Sequence, residues 1–169
     1  MLKNNSIDSS QVRIEKVLVA RIDPGEDLQK SFETIAERER ISAGVILSVV
    51  GSLGKAKLRN LKSYPTRHPI SDADRLYEEV NGPLEILNVT GNICRTTDNE
   101  IHVHAHIILS KAVDGKIVLL GGHLTEGSET FVMVEAFIGV LEKGGFTRSM
   151  HSERKAWEIS FHRRGKAKK

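Results

Sequence analysis

The apolar residues near the start of the chain change their period between two neighbouring segments. Residues 12–22 set Val12, Ile14, Val17, Leu18, Val19 and Ile22 among polar neighbours, a strand pattern whose alternation slips near Glu15-Lys16, as at a β-bulge. Asp23-Pro24-Gly25-Glu26 then offers a helix start, with Asp23 as cap, Pro24 at the first position and Glu26 three residues beyond the cap. Leu28, Phe32, Ile35 and Ala36 follow at helical spacing, with Lys30, Glu33, Glu37 and Arg40 turned outward. This predicts one long helix over residues 24–40.

The remaining pattern is that of strands. Residues 45–50 form a short apolar run, and Ala56, Leu58 and Leu61 continue beyond Gly51-Ser52-Leu53-Gly54. Residues 64–74 hold two of the four prolines and read as a loop. Residues 84–94 and 101–110 read as strands separated by Thr97-Asp98-Asn99, and Asp114-Gly115 turns the chain back into residues 116–120. Residues 130–141 are apolar on both faces, Gly144-Gly145 ends that run, and residues 156–161 supply a last strand. One helix against a largely antiparallel sheet is an α+β architecture.

Length and composition narrow the picture. At 169 residues, with 39% hydrophobic and 28% charged residues, the chain fits one globular domain with a core of its own. We expect a flexible N-terminus over residues 1–11, a folded domain over 12–162 and a basic, disordered tail over 163–169. The formal charge of +3 divides unevenly: Arg163, Arg164, Lys166, Lys168 and Lys169 lie in the last seven residues, and residues 1–162 carry −2. Phosphate binding without regard to sequence must therefore rest on that tail or on a local patch. With 5% aromatic residues, single-strand binding by base stacking is disfavoured. No apolar run reaches the roughly 20 residues of a membrane-spanning helix. The lone Cys94 excludes an intrachain disulfide and is compatible with a reducing compartment, and residues 1–11 lack the apolar core of a signal peptide. Together with the missing apolar span, the expected location is cytoplasmic and no membrane partner is expected.

Four of the seven histidines, His102, His104, His106 and His123, fall within 22 residues. Residues two apart on a strand share a face at about 6.6 Å spacing. His102, His104 and His106 therefore project together, opposite Ile101, Val103, Ala105, Ile107 and Leu109. His123, after Gly121-Gly122, can reach them from the next strand. Three imidazoles suit Zn²⁺, with Ni²⁺ and Fe²⁺ as alternatives, and leave a fourth position for water or substrate. The plain alternative is a solvent-facing strand that carries polar histidines. Glu135 lies within an otherwise apolar run, and a buried carboxylate needs a partner. It is a candidate metal ligand, second-layer partner of a ligating histidine or general base, against an edge position or an ion pair across a subunit boundary. Gly51-Ser52-Leu53-Gly54 lacks the lysine and hydroxyl residue of a P-loop, Gly121-Gly122-His123 lacks a dinucleotide fingerprint, and Cys94 has no CxxC partner.

In chain order, Pro24-Gly25-Glu26, Val50-Gly51-Ser52-Leu53-Gly54, Gly82-Pro83-Leu84-Glu85-Ile86-Leu87, Thr90-Gly91-Asn92-Ile93, His104-Ala105-His106 and Gly121-Gly122-His123-Leu124 resemble the plant and prokaryote conserved (PPC) domain family. The resemblance covers about residues 12–161. It implies an antiparallel sheet with a flanking helix, assembled as a homotrimer, and a metal held by His104, His106 and His123, with His102 an additional histidine beside them. An apolar run on both faces of residues 130–141 agrees with burial between subunits. Plant members carry AT-hooks built around Arg-Gly-Arg-Pro. Arg164-Gly165-Lys166-Ala167 lacks the second arginine and the proline, so DNA as a partner rests on the resemblance and the basic tail alone. The resemblance thus implies a DNA-associated or regulatory trimer, and the histidines leave open a metal-dependent enzyme or small-molecule sensor.

Overall fold

The computed structural model describes residues 7–63, 67–143 and 145–161. Eight strands and one α-helix follow in the order β1 (Ile14–Ile22), α1 (Leu28–Arg38), β2 (Ala43–Leu61), β3 (Arg75–Arg95), β4 (Ile101–Val113), β5 (Lys116–Leu124), β6 (Glu129–Leu141), β7 (Thr147–Met150) and β8 (Trp157–Ser160). The first six strands form one antiparallel sheet in the order β1-β6-β2-β3-β4-β5, and β7 and β8 form a separate hairpin. A further pairing of β2 with β5, through Leu58–Leu124 and Arg59–His123, curls one half of the sheet back on itself. The single-domain α+β architecture read from the pattern is therefore present. Among the described residues no helix is long and apolar enough to cross a membrane.

The helix begins later than Asp23. Gly25 adopts a positive φ of 82°, which breaks a helix, and its N–H donates to the Thr130 carbonyl at 2.9 Å. Asp27 is the cap instead, accepting from the Lys30 N–H at 2.9 Å, so residues 24–26 pair with the start of β6. Arg40 ends the segment at φ 53°. Leu28, Phe32, Ile35 and Ala36 are buried as their spacing predicted, and the helix packs on β4 and β3.

Two strands are longer than the apolar runs that announced them. β2 runs unbroken through Gly51-Ser52-Leu53-Gly54, with register shifts near Leu53 that bend it. β3 extends upstream of Leu84 to Arg75. The slip expected in β1 lies between Ile14 and Lys16. On β6 one face is inside through the middle of the strand: Val134, Ala136 and Ile138 are buried, whereas Met133, Glu135 and Phe137 are exposed, and residues 138–141 are buried on both faces. Of the two ends, residues 1–6 and the basic residues Arg163, Arg164, Lys166, Lys168 and Lys169 lie outside the described residues.

Candidate metal centre

The β4–β5 hairpin places the histidines. Its turn at Asp114-Gly115 pairs Val113 with Lys116, and the same register puts His106 directly opposite His123. His104 lies two residues before His106, on the same face. The three rings have centroids 5.0–5.5 Å apart. One nitrogen from each of His104, His106 and His123 lies within 4.8 Å of the other two, and among the described residues this is the one such group of potential metal ligands.

Small residues on both flanks let the strands approach. A Cβ at Gly91 of β3 would sit 2.2 Å from the His104 carbonyl oxygen. One at Gly122, next to His123, would sit 2.7 Å from the Asn60 amide nitrogen, which donates to the Gly121 carbonyl at 3.1 Å. The backbone that carries the ligands is thus clasped by β3 on one side and β2 on the other.

The electrostatics keep the rings of His104 and His123 neutral. His104 is half-buried, and burial, followed by the charge of Arg148, pushes its pKa down to about 4. Burial and the charge of Arg59, opposite it on β2, push His123 down to about 3. At neutral pH both rings are uncharged, each with one nitrogen free of a proton. A tetrahedral zinc ion with bonds of about 2.0–2.1 Å sets its ligand atoms about 3.4 Å apart, so the rings need to close by little more than about 1 Å. The donor set fits a divalent metal.

The other two candidates fall outside the cluster. His102 points to the same side but meets Trp157 of β8, ring centroids 6.2 Å apart, and is not in the three-ligand group. Glu135 is exposed on β6, opposite Arg21 of β1 and Val50 of β2. Glu135 is not in the three-ligand group; an exposed apolar face, and not burial, explains its apolar neighbours.

Arg148 of β7 went unread in the sequence. Only 4% exposed, it donates from Nη2 to Asn92 Oδ1 at 3.0 Å, holds Nη2 3.1 Å from His104 Nδ1, and donates from Nη1 to the Trp157 carbonyl at 2.7 Å. The Thr97 N–H donates to the Arg148 carbonyl at 2.9 Å and anchors the β7–β8 hairpin against the end of β3. Between this hairpin, α1 and the histidines opens a cleft of about 440 Å³, with His104 and His123 in its wall. Glu33 of α1 also lines it, and burial pushes its carboxyl up.

Comparison with known proteins finds the same fold elsewhere. Solved structures of similar fold include a metal-containing protein from Archaeoglobus fulgidus, 25% identical, with 91% of this chain and 99% of that chain covered and a TM-score of 0.71. A plant- and prokaryote-conserved protein from Pyrococcus horikoshii is 23% identical, with 90% and 97% covered and a TM-score of 0.70. A candidate DNA-binding protein from Bacteroides thetaiotaomicron is 20% identical, with 89% and 96% covered and a TM-score of 0.70. The bifunctional protein GlmU of two Synechococcus strains is 29% identical over 133 residues and 30% identical over 120 residues. Those stretches are 79% and 71% of this chain but 18% and 16% of the relatives, so the chain spans less than a fifth of their length. A family model for the Plants and Prokaryotes Conserved (PCC) domain matches residues 9–142. The chain belongs to the PCC domain family.

Proposed function

We propose that this chain is a homotrimeric PCC-domain protein whose His104, His106 and His123 hold a divalent ion that recruits a small-molecule ligand. The observation that carries this reading is the convergence of three imidazole nitrogens within 4.8 Å, two of them on rings held neutral by their surroundings. Zinc is the favoured ion. Three imidazoles with one open position are a common zinc arrangement, whereas non-haem iron sites typically add a carboxylate, which this group lacks. The metal-containing Archaeoglobus neighbour supports metal use. Two of the ligands line a cleft, which favours an ion that meets a ligand over one that only braces the fold. When bound, such an ion lowers the pKa of a coordinated water to about 7 and polarises an oxygen ligand. Supplying that chemistry to a reaction would make the protein an enzyme; supplying it to recognition alone would make it a sensor.

The trimer is supported by a face that one chain leaves open. Val19 of β1 and Phe137 of β6 are opposite each other and exposed, and Phe131 and Met133 are exposed on the same face further along β6. An exposed apolar face of this kind marks an interaction site. Glu135 and Arg21 lie opposite each other within it, and between subunits they would become partners of low accessibility.

Titrating the purified protein with zinc against a competing chelator tests the central reading. One ion should bind per chain, and His104→Ala combined with His106→Ala should abolish it. Zinc retained at full stoichiometry in that variant would refute the assignment. A second reading, DNA association, is favoured by the candidate DNA-binding neighbours and by the five basic residues at 163–169. Deleting residues 163–169 should then remove a strongly salt-dependent duplex affinity.

A further inference from the structure

We infer that the cleft beside the three histidines is a binding site for a small organic anion, a carboxylate or a phosphate ester, held by Arg59 and Arg148. This builds on the three-histidine reading by naming the class of ligand that the metal would meet. Five cationic side chains line the cleft, Arg59, Arg75, Arg148, Arg154 and Lys155, against one carboxylate, Glu33. Arg75 is paired with Asp72 at 2.8 Å and Arg154 with Glu158. Among the described residues Arg59, Arg148 and Lys155 have no ion pair, so the cleft keeps a surplus of positive charge.

Arg148 makes the case specific. A buried guanidinium normally sits against an anion, because removing its charge from water is costly. Its partners here, Asn92 Oδ1, the ring of His104 and the Trp157 carbonyl, are uncharged, and the neighbouring Cys94 thiol is pushed up by burial against the pull of Arg148. Its Nε has no hydrogen-bonded nitrogen or oxygen partner among the described residues. A divalent ion on the adjacent histidines would add two further positive charges. An anion with a planar or tetrahedral oxygen group offsets that excess. Arg59, whose guanidinium has no hydrogen bond or ion pair among the described residues, can bind such a group through paired hydrogen bonds, and Arg148 adds its charge from behind. The volume of about 440 Å³ is that of a small-molecule pocket and not of a groove for duplex DNA.

Isothermal titration at constant ionic strength, with inorganic phosphate and with oxalate as probes, tests the site. Both zinc-loaded and metal-free wild type are titrated, beside the variants Arg59→Gln and Lys155→Gln, with thermal unfolding as the check on folding. At least one probe should bind with a Kd below about 1 mM, and Arg59→Gln should weaken it by about 10-fold or more. Lys155→Gln, on the exposed turn, should weaken it several-fold and serves if Arg59→Gln does not fold. The tighter probe identifies the ligand group. Binding no stronger than that of matched chloride, or unchanged affinity in both variants, would overturn the proposal. So would a duplex that binds in an Arg59-dependent manner when neither small anion does. If zinc alone fails to bind but phosphate or oxalate still binds through Arg59, the metal reading falls and the anion site stands.

Discussion

Arg148 Nη2 lies 3.1 Å from Nδ1 of His104, an arginine placed against a prospective metal ligand. A guanidinium has only hydrogens to offer, so Nδ1 accepts and the proton of the neutral ring resides on Nε2. Histidine ligands more often give their second N–H to a carboxylate or carbonyl. In this chain the neighbour is instead a fixed positive charge. Metal binding through His104 therefore has to displace a proton from Nε2 or the arginine from Nδ1.

That relationship predicts opposite effects of Arg148→Met on two measurements. Zinc affinity, read by chelator competition, should rise several-fold as the competing charge disappears. Stability to urea should fall by about 1–3 kcal/mol, because Asn92 Oδ1 and the Trp157 carbonyl lose their donor. Weaker zinc binding in a folded variant would show that Arg148 orients His104 in favour of the metal.

Gly91 provides a test of strand spacing. An added methyl would lie 2.2 Å from the His104 carbonyl oxygen and 2.7 Å from the Ala105 Cα, both backbone atoms that cannot move aside independently. Gly91→Ala should cost about 1–3 kcal/mol in chemical unfolding and should loosen zinc binding by shifting His104. A variant with wild-type stability and zinc affinity would contradict this close approach.

The depressed histidines fix the direction of the pH dependence in the metal-free protein. An unfolded histidine titrates near 6.5, whereas His104 and His123 in the fold titrate at about 4 and about 3. Between those values the unfolded chain binds more protons, so stability rises with pH and is lost as the pH drops below about 6.5. Urea midpoints of metal-free protein at pH 7, 6 and 5 should therefore decline, and a His104→Gln, His123→Gln variant should decline less. Equal slopes in the two proteins would contradict the shifts.

The exposed apolar face predicts the assembly. Phe131→Glu together with Val19→Glu should convert a particle of three chains into a monomer in light scattering, with the zinc site retained. A wild-type mass near one chain would contradict the trimer, and a trimeric double variant would place the interface elsewhere.

Local spacing made the histidines readable and left their arginine hidden. The alternate positions of His104 and His106 share a face in any strand, and the Asp114-Gly115 turn sets the return path that brings His123 opposite His106. Arg148 lies 44 residues from His104 and reaches it only because a separate hairpin docks on the end of β3, which no local pattern encodes. The helix start was misplaced because Asp23-Pro24 and Asp27 are both competent caps, and the positive φ of Gly25 decides between them. The alternatives for Glu135 stay open in the sequence for a related reason. Apolar residues on both faces of a strand look the same whether the second face is buried in the chain or left open for another one.

The most direct test is a crystal structure of the zinc-loaded protein with anomalous data collected on both sides of the zinc absorption edge. One strong peak per chain is expected, about 2.0–2.1 Å from a nitrogen of each of His104, His106 and His123. Zinc-loaded crystals with no peak among those three rings, or with the peak at other residues, would contradict it.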